Sequence, residues 1–254
     1  MNDLFSIKGK KGIITGASGG IGSTLAKALA ARGAMLGLVD MSVDKSEELA
    51  KALEQEHGVK VVAYQCDVTN PESVNKMMDS FIADFGKIDF GINNAGIANI
   101  EKAIDISYDD FKKVIDVNLN GVFLTAQAQA KAMMKQESGG SIINTASMSA
   151  QVINIPQTIA NYCASKAGVK HLTKALAVEW AESNIRVNSV SPGYIATELV
   201  AEMKSYHEGW TSKIPMGRLG KPEDLEGLFI YLISDSSSYM TGSDLIIDGG
   251  YTSL

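Results

Sequence analysis

Thr15-Gly16-Ala17-Ser18-Gly19-Gly20-Ile21-Gly22 stands between an apolar run at residues 12–15 and a helical pattern over residues 20–32. Few folds accept such a junction. Glycines let a backbone turn sharply and come close to a bound group. The first turn of a helix leaves its N–H groups free and carries the positive end of the dipole. A strand that hands over to a helix here therefore makes a cradle for a pyrophosphate. Ile21, Leu25, Ala28 and Leu29 share one helix face, and Gly33 follows as a stop signal.

The same alternation continues down the chain. Strand patterns at residues 35–39, 60–65, 90–93, 141–145, 185–190 and 245–248 alternate with helical stretches at 43–56, 71–85 and 222–233. Ser107 and Asp110 form a capping-box pattern that opens a long helix to about residue 135, and the helix carrying Tyr162 runs to about residue 182. Continuous apolar strands separated by helices predict an α/β fold: a single-domain, Rossmann-like, doubly wound parallel sheet with helices on both faces. With no internal repeat and no linker rich in Pro, Gly or Ser, one domain over residues 1–254 is expected. Its dinucleotide-binding half covers about 1–145, and its catalytic and substrate-lid part about 146–254. Residues 193–222 lack strand character, and a segment of that length in a compact domain reads as a lid.

Charge and composition exclude several classes. There are 23 basic against 29 acidic residues, net −6, which argues against nucleic acid or an anionic membrane as partner. No apolar run reaches the length of ~18 residues that a membrane span needs, and residues 1–11 lack the apolar core of a signal peptide. Cys66 and Cys163 lie outside any C-x-x-C pattern and read as reduced thiols of a cytoplasmic protein. His57, His171 and His207 are scattered without ligand spacing, so no metal is expected.

Further candidate residues fall at strand ends, where ligands of open α/β sheets gather. Asp40 closes the second strand, 24 positions after Gly16. A carboxylate there can accept from adenosine ribose hydroxyls and repel a 2′-phosphate, so NAD(H) is expected in preference to NADP(H). Lys45 keeps NADP(H) open. Asp67, followed by Val68, ends the third strand and suits either the adenine amino group or a helix cap; Asn93-Asn94-Ala95-Gly96 ends the fourth. Tyr162 and Lys166 are spaced i, i+4 on a helix and share a face. An ammonium beside a phenol favours the phenolate and lowers its pKa, which makes the pair a proton-transfer device for an alcohol or ketone. Cys163, one position on, points away from Tyr162 and reads as packing.

Taken together, Thr15-Gly16-x-x-x-Gly20-x-Gly22, Asn93-Asn94-Ala95-Gly96, Tyr162-x-x-x-Lys166 and Pro192-Gly193, in this order and spacing, resemble the short-chain dehydrogenase/reductase family over essentially the whole chain. The resemblance implies that Tyr162 is the general acid/base, that Lys166 lowers its pKa and holds the nicotinamide ribose, that a serine orients the substrate oxygen, and that Asn118 holds a water in a proton relay. Many family members carry the serine 13 positions before the tyrosine, which would select Ser149. Registration from the end of the strand selects Ser147 instead. A strand fixes where a side chain emerges while a loop absorbs length, so Ser147 is preferred and Ser149 is the runner-up. The resemblance further implies dinucleotide contacts at Gly16, Ser18, Gly20, Ile21, Gly22, Asp40, Asp67, Val68, Asn94, Ala95, Gly96, Pro192, Gly193, Ile195 and Thr197. It also implies a homotetramer.

The stretch Ser147-Met148-Ser149 with Ile153-Asn154-Ile155-Pro156-Gln157 resembles the branch acting on polyols and ketoses, with mannitol, sorbose and galactitol enzymes and carbonyl reductases. Ser147, Ser149, Asn154, Gln157 and Trp210 are the candidate substrate contacts, with Gln151, Glu198, Tyr206, His207 and Met216 nearby. A small hydroxylated substrate is expected. Two rivals stand beside this reading. One is a reductase of another carbonyl class such as a 3-oxoacyl thioester, for which Lys131, Lys135, Arg218 and Lys221 would have to form a docking patch. The other is a non-catalytic dinucleotide sensor, which would have no use for an acid/base pair.

Overall fold

The computed structural model describes residues 3–201 and 203–254, with only the backbone of Leu199; Met1 and Asn2, which open the segment read above for a leader, lie outside the described residues. Seven parallel strands form one sheet in the order β3-β2-β1-β4-β5-β6-β7. They are β1 (Lys11–Thr15), β2 (Met35–Asp40), β3 (Val61–Gln65), β4 (Phe90–Asn93), β5 (Gly140–Thr145), β6 (Ile185–Pro192) and β7 (Asp244–Ile247). Successive side chains of a strand point to opposite faces. Ile14 accordingly packs with Leu25 and Leu29 of α1 (Gly20–Ala31), Leu53 of α2 (Val43–His57), and Phe229 and Leu232 of α9 (Glu226–Ile233). Its neighbour Ile13 packs with Phe81 of α3 (Pro71–Phe85), Met133 of α5 (Gly121–Lys135) and Leu176 of α6 (Ala160–Trp180). The strands are apolar throughout because both faces are covered. Strand order reverses between β1 and β4, and the carboxyl ends there open a crevice.

One element differs from the sequence reading. The helix opened by Ser107, whose Oγ accepts from Asp110 N at 3.0 Å, is interrupted. It runs as α4 (Tyr108–Ile115), one π turn (Asp116–Asn120), then α5. A π turn inside a helix leaves no mark in hydrophobic periodicity, and such turns concentrate at functional sites. Residues 193–222, read as lacking strand character, hold α7 (Glu198–Ala201) and α8 (Lys204–Thr211). Trp210, 1% exposed, anchors α8 through stacks on Tyr194, with centroids 4.3 Å apart, and on Tyr206 at 5.6 Å. Among the described residues no helix is long and apolar enough to cross a membrane.

The middle of the sheet carries a buried polar ladder. Asn93 Nδ2 donates to Asn144 Oδ1 at 2.9 Å, Gln129 Nε2 donates to Asn93 Oδ1 at 2.7 Å, and Asn144 Nδ2 donates to Thr173 Oγ1 at 2.9 Å. All four residues are fully or almost fully buried. The ladder joins α5, β4, β5 and α6 in one register and sets the height of α6 against the ends of the strands. Removing its central member strands two buried partners. Asn144→Ala is expected to destabilise the fold by about 2–4 kcal/mol, since each unsatisfied buried polar group costs ~1–3 kcal/mol. Urea denaturation checks this, and a loss below ~0.5 kcal/mol would contradict the ladder's role.

Candidate active site

The crevice is a cleft of about 380 Å³. One wall is the glycine turn. Gly16 and Gly20 have φ of +65° and +54°, the left-handed region, and a Cβ at Gly22 would meet Gly16 O at 2.1 Å, so the close approach admits glycine alone. Thr15 Oγ1 accepts from Asn94 N and Ala95 N, both at 3.0 Å, while Asn94 Nδ2 donates to the carbonyls of Thr15 and Gly16, both at 3.2 Å. These bonds clamp the turn onto the end of β4. The N-cap of α1 is Gly19, which brings no side-chain acceptor. The first N–H groups of α1 therefore stay free for an anion.

The opposite wall comes from the end of β5 and the start of α6. Thr145, Ala146, Ser147, Tyr162 and Lys166 line it. Lys166 is 3% exposed, and its Nζ donates to the Thr145 carbonyl at 2.7 Å. The same Nζ lies 5.7 Å from the centroid of the Tyr162 ring. Burial lowers the Lys166 ammonium from 10.5 to about 8. Burial also raises the Tyr162 phenol above its ordinary value, with a Ser147 hydrogen bond acting in the opposite sense. Burial thus acts against the depression expected from Lys166. Withdrawal from water penalises the phenolate more than this setting stabilises it, and the ammonium is engaged with a carbonyl.

Among the sequence candidates, Gly16, Gly20, Ile21, Asn94, Ala95, Gly96, Ser147, Tyr162, Lys166, Pro192, Ile195 and Thr197 meet in this cleft. Gly19, Ile97, Ala98, Thr145, Ala146, Glu198 and Val200 complete it; apart from Gly19 of the glycine-rich turn and Glu198, placed near the substrate above, the sequence reading passed them over as site residues. Ile97 had one usable signal, its place just after Asn-Asn-Ala-Gly.

Other candidates lie outside the cleft wall. Asn118, fully buried in the π turn, accepts from Ile97 N at 2.8 Å and donates to Ile97 O at 2.9 Å and to Ser165 Oγ at 3.1 Å. Ser165 Oγ in turn donates to the Tyr162 carbonyl at 2.8 Å. Asn118 therefore braces both walls without facing the cleft. Gly22 is hidden under Gly16, and Gly193 admits the close passage of Asp248, whose Cα would lie 2.6 Å from an added Cβ. Asp67 accepts from Thr69 N at 2.9 Å and Thr69 Oγ1 at 2.7 Å and so closes a turn ahead of α3, whose cap is Asn70, and Val68 packs on Gly121. Ser149, Asn154, Gln157 and Trp210 are bonded to one another and to Tyr194 behind the cleft. Of the candidate substrate contacts, Ser147 is the one that reaches the cleft wall. Lys131 and Lys135 border a groove beside α3, whereas Arg218 pairs with Asp224 at 2.6 Å beside another cavity, so no common docking patch forms.

A family model described as enoyl-(acyl carrier protein) reductase, of the short-chain dehydrogenase C2 type, matches residues 16–252. Sorbose reductase of Schizosaccharomyces pombe is 46% identical, over all of both chains. The NADP-dependent mannitol dehydrogenase of Hypocrea jecorina is 44% identical, covering 98% of this chain and 95% of the relative. The crystal structure of a short-chain type dehydrogenase/reductase from Mycobacterium marinum superposes with a TM-score of 0.97 at 51% identity, covering 99% of each chain.

The expected preference for NAD(H) is overturned by these relatives. The Hypocrea protein is named NADP-dependent. A gluconate 5-dehydrogenase from Burkholderia cenocepacia, 36% identical with a TM-score of 0.94 over 99% of this chain and 98% of its own, was solved with NADP. The structure supplies the physical reason. Asp40 Oδ2 accepts from Ser18 N at 3.1 Å and Ser18 Oγ at 2.7 Å, and its Oδ1 accepts from Ser42 N at 3.1 Å. The carboxylate and Ser18 hold each other and brace two turns, which takes three of the roughly four acceptor positions of Asp40.

Buried Lys166 leaves a signature in stability. Its folded pKa of about 8 lies below the unfolded 10.5. Between those values the unfolded chain binds more protons, so this group makes stability rise with pH across that window. Tyr162, raised, opposes this only above pH ~10. Denaturant titrations from pH 7.5 to 9.5 should show the wild type gaining on Lys166→Met as pH rises; parallel curves would contradict the buried ammonium.

Proposed function

This chain belongs to the short-chain dehydrogenase/reductase family, and on that premise we propose that it interconverts a small polyol and its ketose with NADP(H) as hydride partner. The observation that carries the reading is the convergence of Ser147, Tyr162 and Lys166 on one wall of a cleft whose other wall is a glycine cradle. Relatives named sorbose reductase and mannitol dehydrogenase support the substrate class. The NADP dependence in the mannitol dehydrogenase's name fits the local chemistry of this chain. The Ser42 hydroxyl makes no capping bond, and the start of α2 offers free N–H groups, with exposed Lys45 beside Asp44 in the same turn. These would hold the 2′-phosphate.

The residues fit a dinucleotide. Gly16, Gly20 and the N-terminus of α1 would hold its pyrophosphate, and the remaining N–H groups of Lys166 would hold the nicotinamide ribose. The bound coenzyme supplies the two-electron chemistry that no side chain can. Tyr162 moves the proton. In reduction its phenol gives H⁺ to the carbonyl oxygen, and the raised pKa keeps it protonated for that step at neutral pH. In oxidation the phenolate takes H⁺ from the hydroxyl, which higher pH favours. Ser147 Oγ donates to the same oxygen as charge develops on it. Asn118 positions Tyr162 through Ser165.

Homotetramer assembly and a cytoplasmic setting belong to the same proposal. Exposed Phe123 and Met134 on α5 and Val178 on α6 support contact between copies, and the two free thiols support a reducing compartment. Light scattering at four times the 27.0 kDa chain mass is the expected result.

Following nicotinamide absorbance with a panel of polyols and ketoses tests the function. NADPH should exceed NADH in kcat/KM, and Tyr162→Phe should lower kcat by about 10²–10⁴-fold while leaving NADPH affinity near wild type. Tight NADPH binding without turnover of any alcohol or ketone would instead favour a dinucleotide sensor.

A further inference from the structure

Few charged groups face the cleft. Among its described lining residues, Tyr162, Lys166 and Glu198 carry the titratable side chains. Lys166 uses one N–H on the Thr145 carbonyl, and the others serve the nicotinamide ribose in the function above. The free N–H groups at the start of α1 are taken by the pyrophosphate in the same reading. Among the lining residues no cation is then left for an anion on the substrate. The room beside the nicotinamide is bounded by Ile97, Ala98, Ala146, Ser147, Tyr162 and Val200, with Glu198 at its edge. Glu198 opens α7 with an exposed side chain. Among the described residues its carboxylate has neither an ion pair nor a hydrogen bond. Its place is nonetheless fixed. Thr197, the residue before it, donates its N–H to the Ile195 carbonyl at 2.8 Å, and Thr197 Cγ2 lies 3.4 Å from where a Cβ on Gly20 would stand. The start of α7 is thus held against the glycine wall, and Glu198 meets whatever enters.

We propose that Glu198 selects the substrate by charge, admitting uncharged polyols and ketoses and turning away the corresponding sugar acids. The proposal rests on the function above and narrows its substrate class. An ionised carboxylate only accepts hydrogen bonds, so neighbouring hydroxyls of a polyol can donate to it together. A sugar acid carries a carboxylate in place of a terminal hydroxymethyl group. Its charge would stand beside that of Glu198 with no cation between them. Like charges ~6 Å apart disfavour binding by about 3-fold in bulk water and by about 100-fold near a protein surface. A repulsive element of this kind discriminates without any added contact to the right substrate. The fold does not decide the matter: the gluconate 5-dehydrogenase described above shares it with this chain at a TM-score of 0.94. The choice between a ketose and its acid therefore falls to individual side chains at the cleft.

The test measures kcat/KM, with NADPH, for a ketose and for the ketoaldonate of the same chain length. It uses the full chain as wild type, Glu198→Gln and Glu198→Lys. The ratio of the two values cancels effects on folding and on coenzyme binding, because both sugars meet the same complex of protein and NADPH. The wild type should favour the ketose. Glu198→Gln should lower the ketose-to-ketoaldonate ratio by about 10-fold, inside the range for such charges. Glu198→Lys should lower it further. Added salt should lower the wild-type ratio and leave that of Glu198→Gln steady. An equal ratio in all three forms would overturn the selection and leave the function standing. So would a wild type that reduces the ketoaldonate as readily as the ketose. A gain in NADPH affinity in Glu198→Gln at a constant ratio would overturn it too, by assigning the charge to the coenzyme. No turnover of either sugar by the wild type would remove the function and the selection together.

Discussion

An ammonium sunk into the wall of a cleft needs an oxygen to hold it, and the Thr145 carbonyl at the end of β5 is the protein oxygen Lys166 has. That bond fixes the height of α6 against the sheet. Once α6 is seated there, Tyr162 comes one helical turn away on the same face, and Ser147, two residues past Thr145, is carried to the same wall. The buried ladder from Gln129 through Asn93 and Asn144 to Thr173 holds the same two elements from beneath. A buried cation is costly, and the fold tolerates it where its remaining N–H groups face a cleft able to receive polar atoms.

The glycine wall obeys a complementary constraint. Its geometry leaves no room for side chains at Gly22, and Thr15 and Asn94 tie it to β4. One wall thus offers free backbone N–H groups and the other offers side chains that move a proton. The two meet only because strand order reverses between β1 and β4. Asn118 connects them: its amide holds Ile97 on one side and, through Ser165, the Tyr162 carbonyl on the other.

Much of this was legible in the sequence, because its signals are periodic or steric. Alternating strands and helices declared a parallel sheet, and glycine spacing with the Tyr162–Lys166 interval declared two walls of one cleft. What stayed hidden depended on which partner a polar side chain had chosen. Asp40 reads as a ribose acceptor until Ser18 and Ser42 are seen holding it. Asn154, Gln157 and Trp210 stand in a loop and lid, and spacing does not announce the bonds that join them through Tyr194. The π turn around Asn118 changes hydrogen-bond register without changing the apolar pattern. The direction of the Tyr162 shift was missed for a related reason: spacing reveals the neighbouring charge and conceals the loss of water.

The central claim is that one oxygen of the substrate is met at the same time by the Tyr162 phenol and the Ser147 hydroxyl, across from the glycine cradle. A crystal structure with NADP and a polyol or ketose measures this directly. The account predicts the reacting oxygen within hydrogen-bond distance, about 2.6–3.2 Å, of both hydroxyls, with the pyrophosphate over the N-terminus of α1. A substrate whose reacting carbon faces the nicotinamide while its oxygen points away from Tyr162 would contradict it.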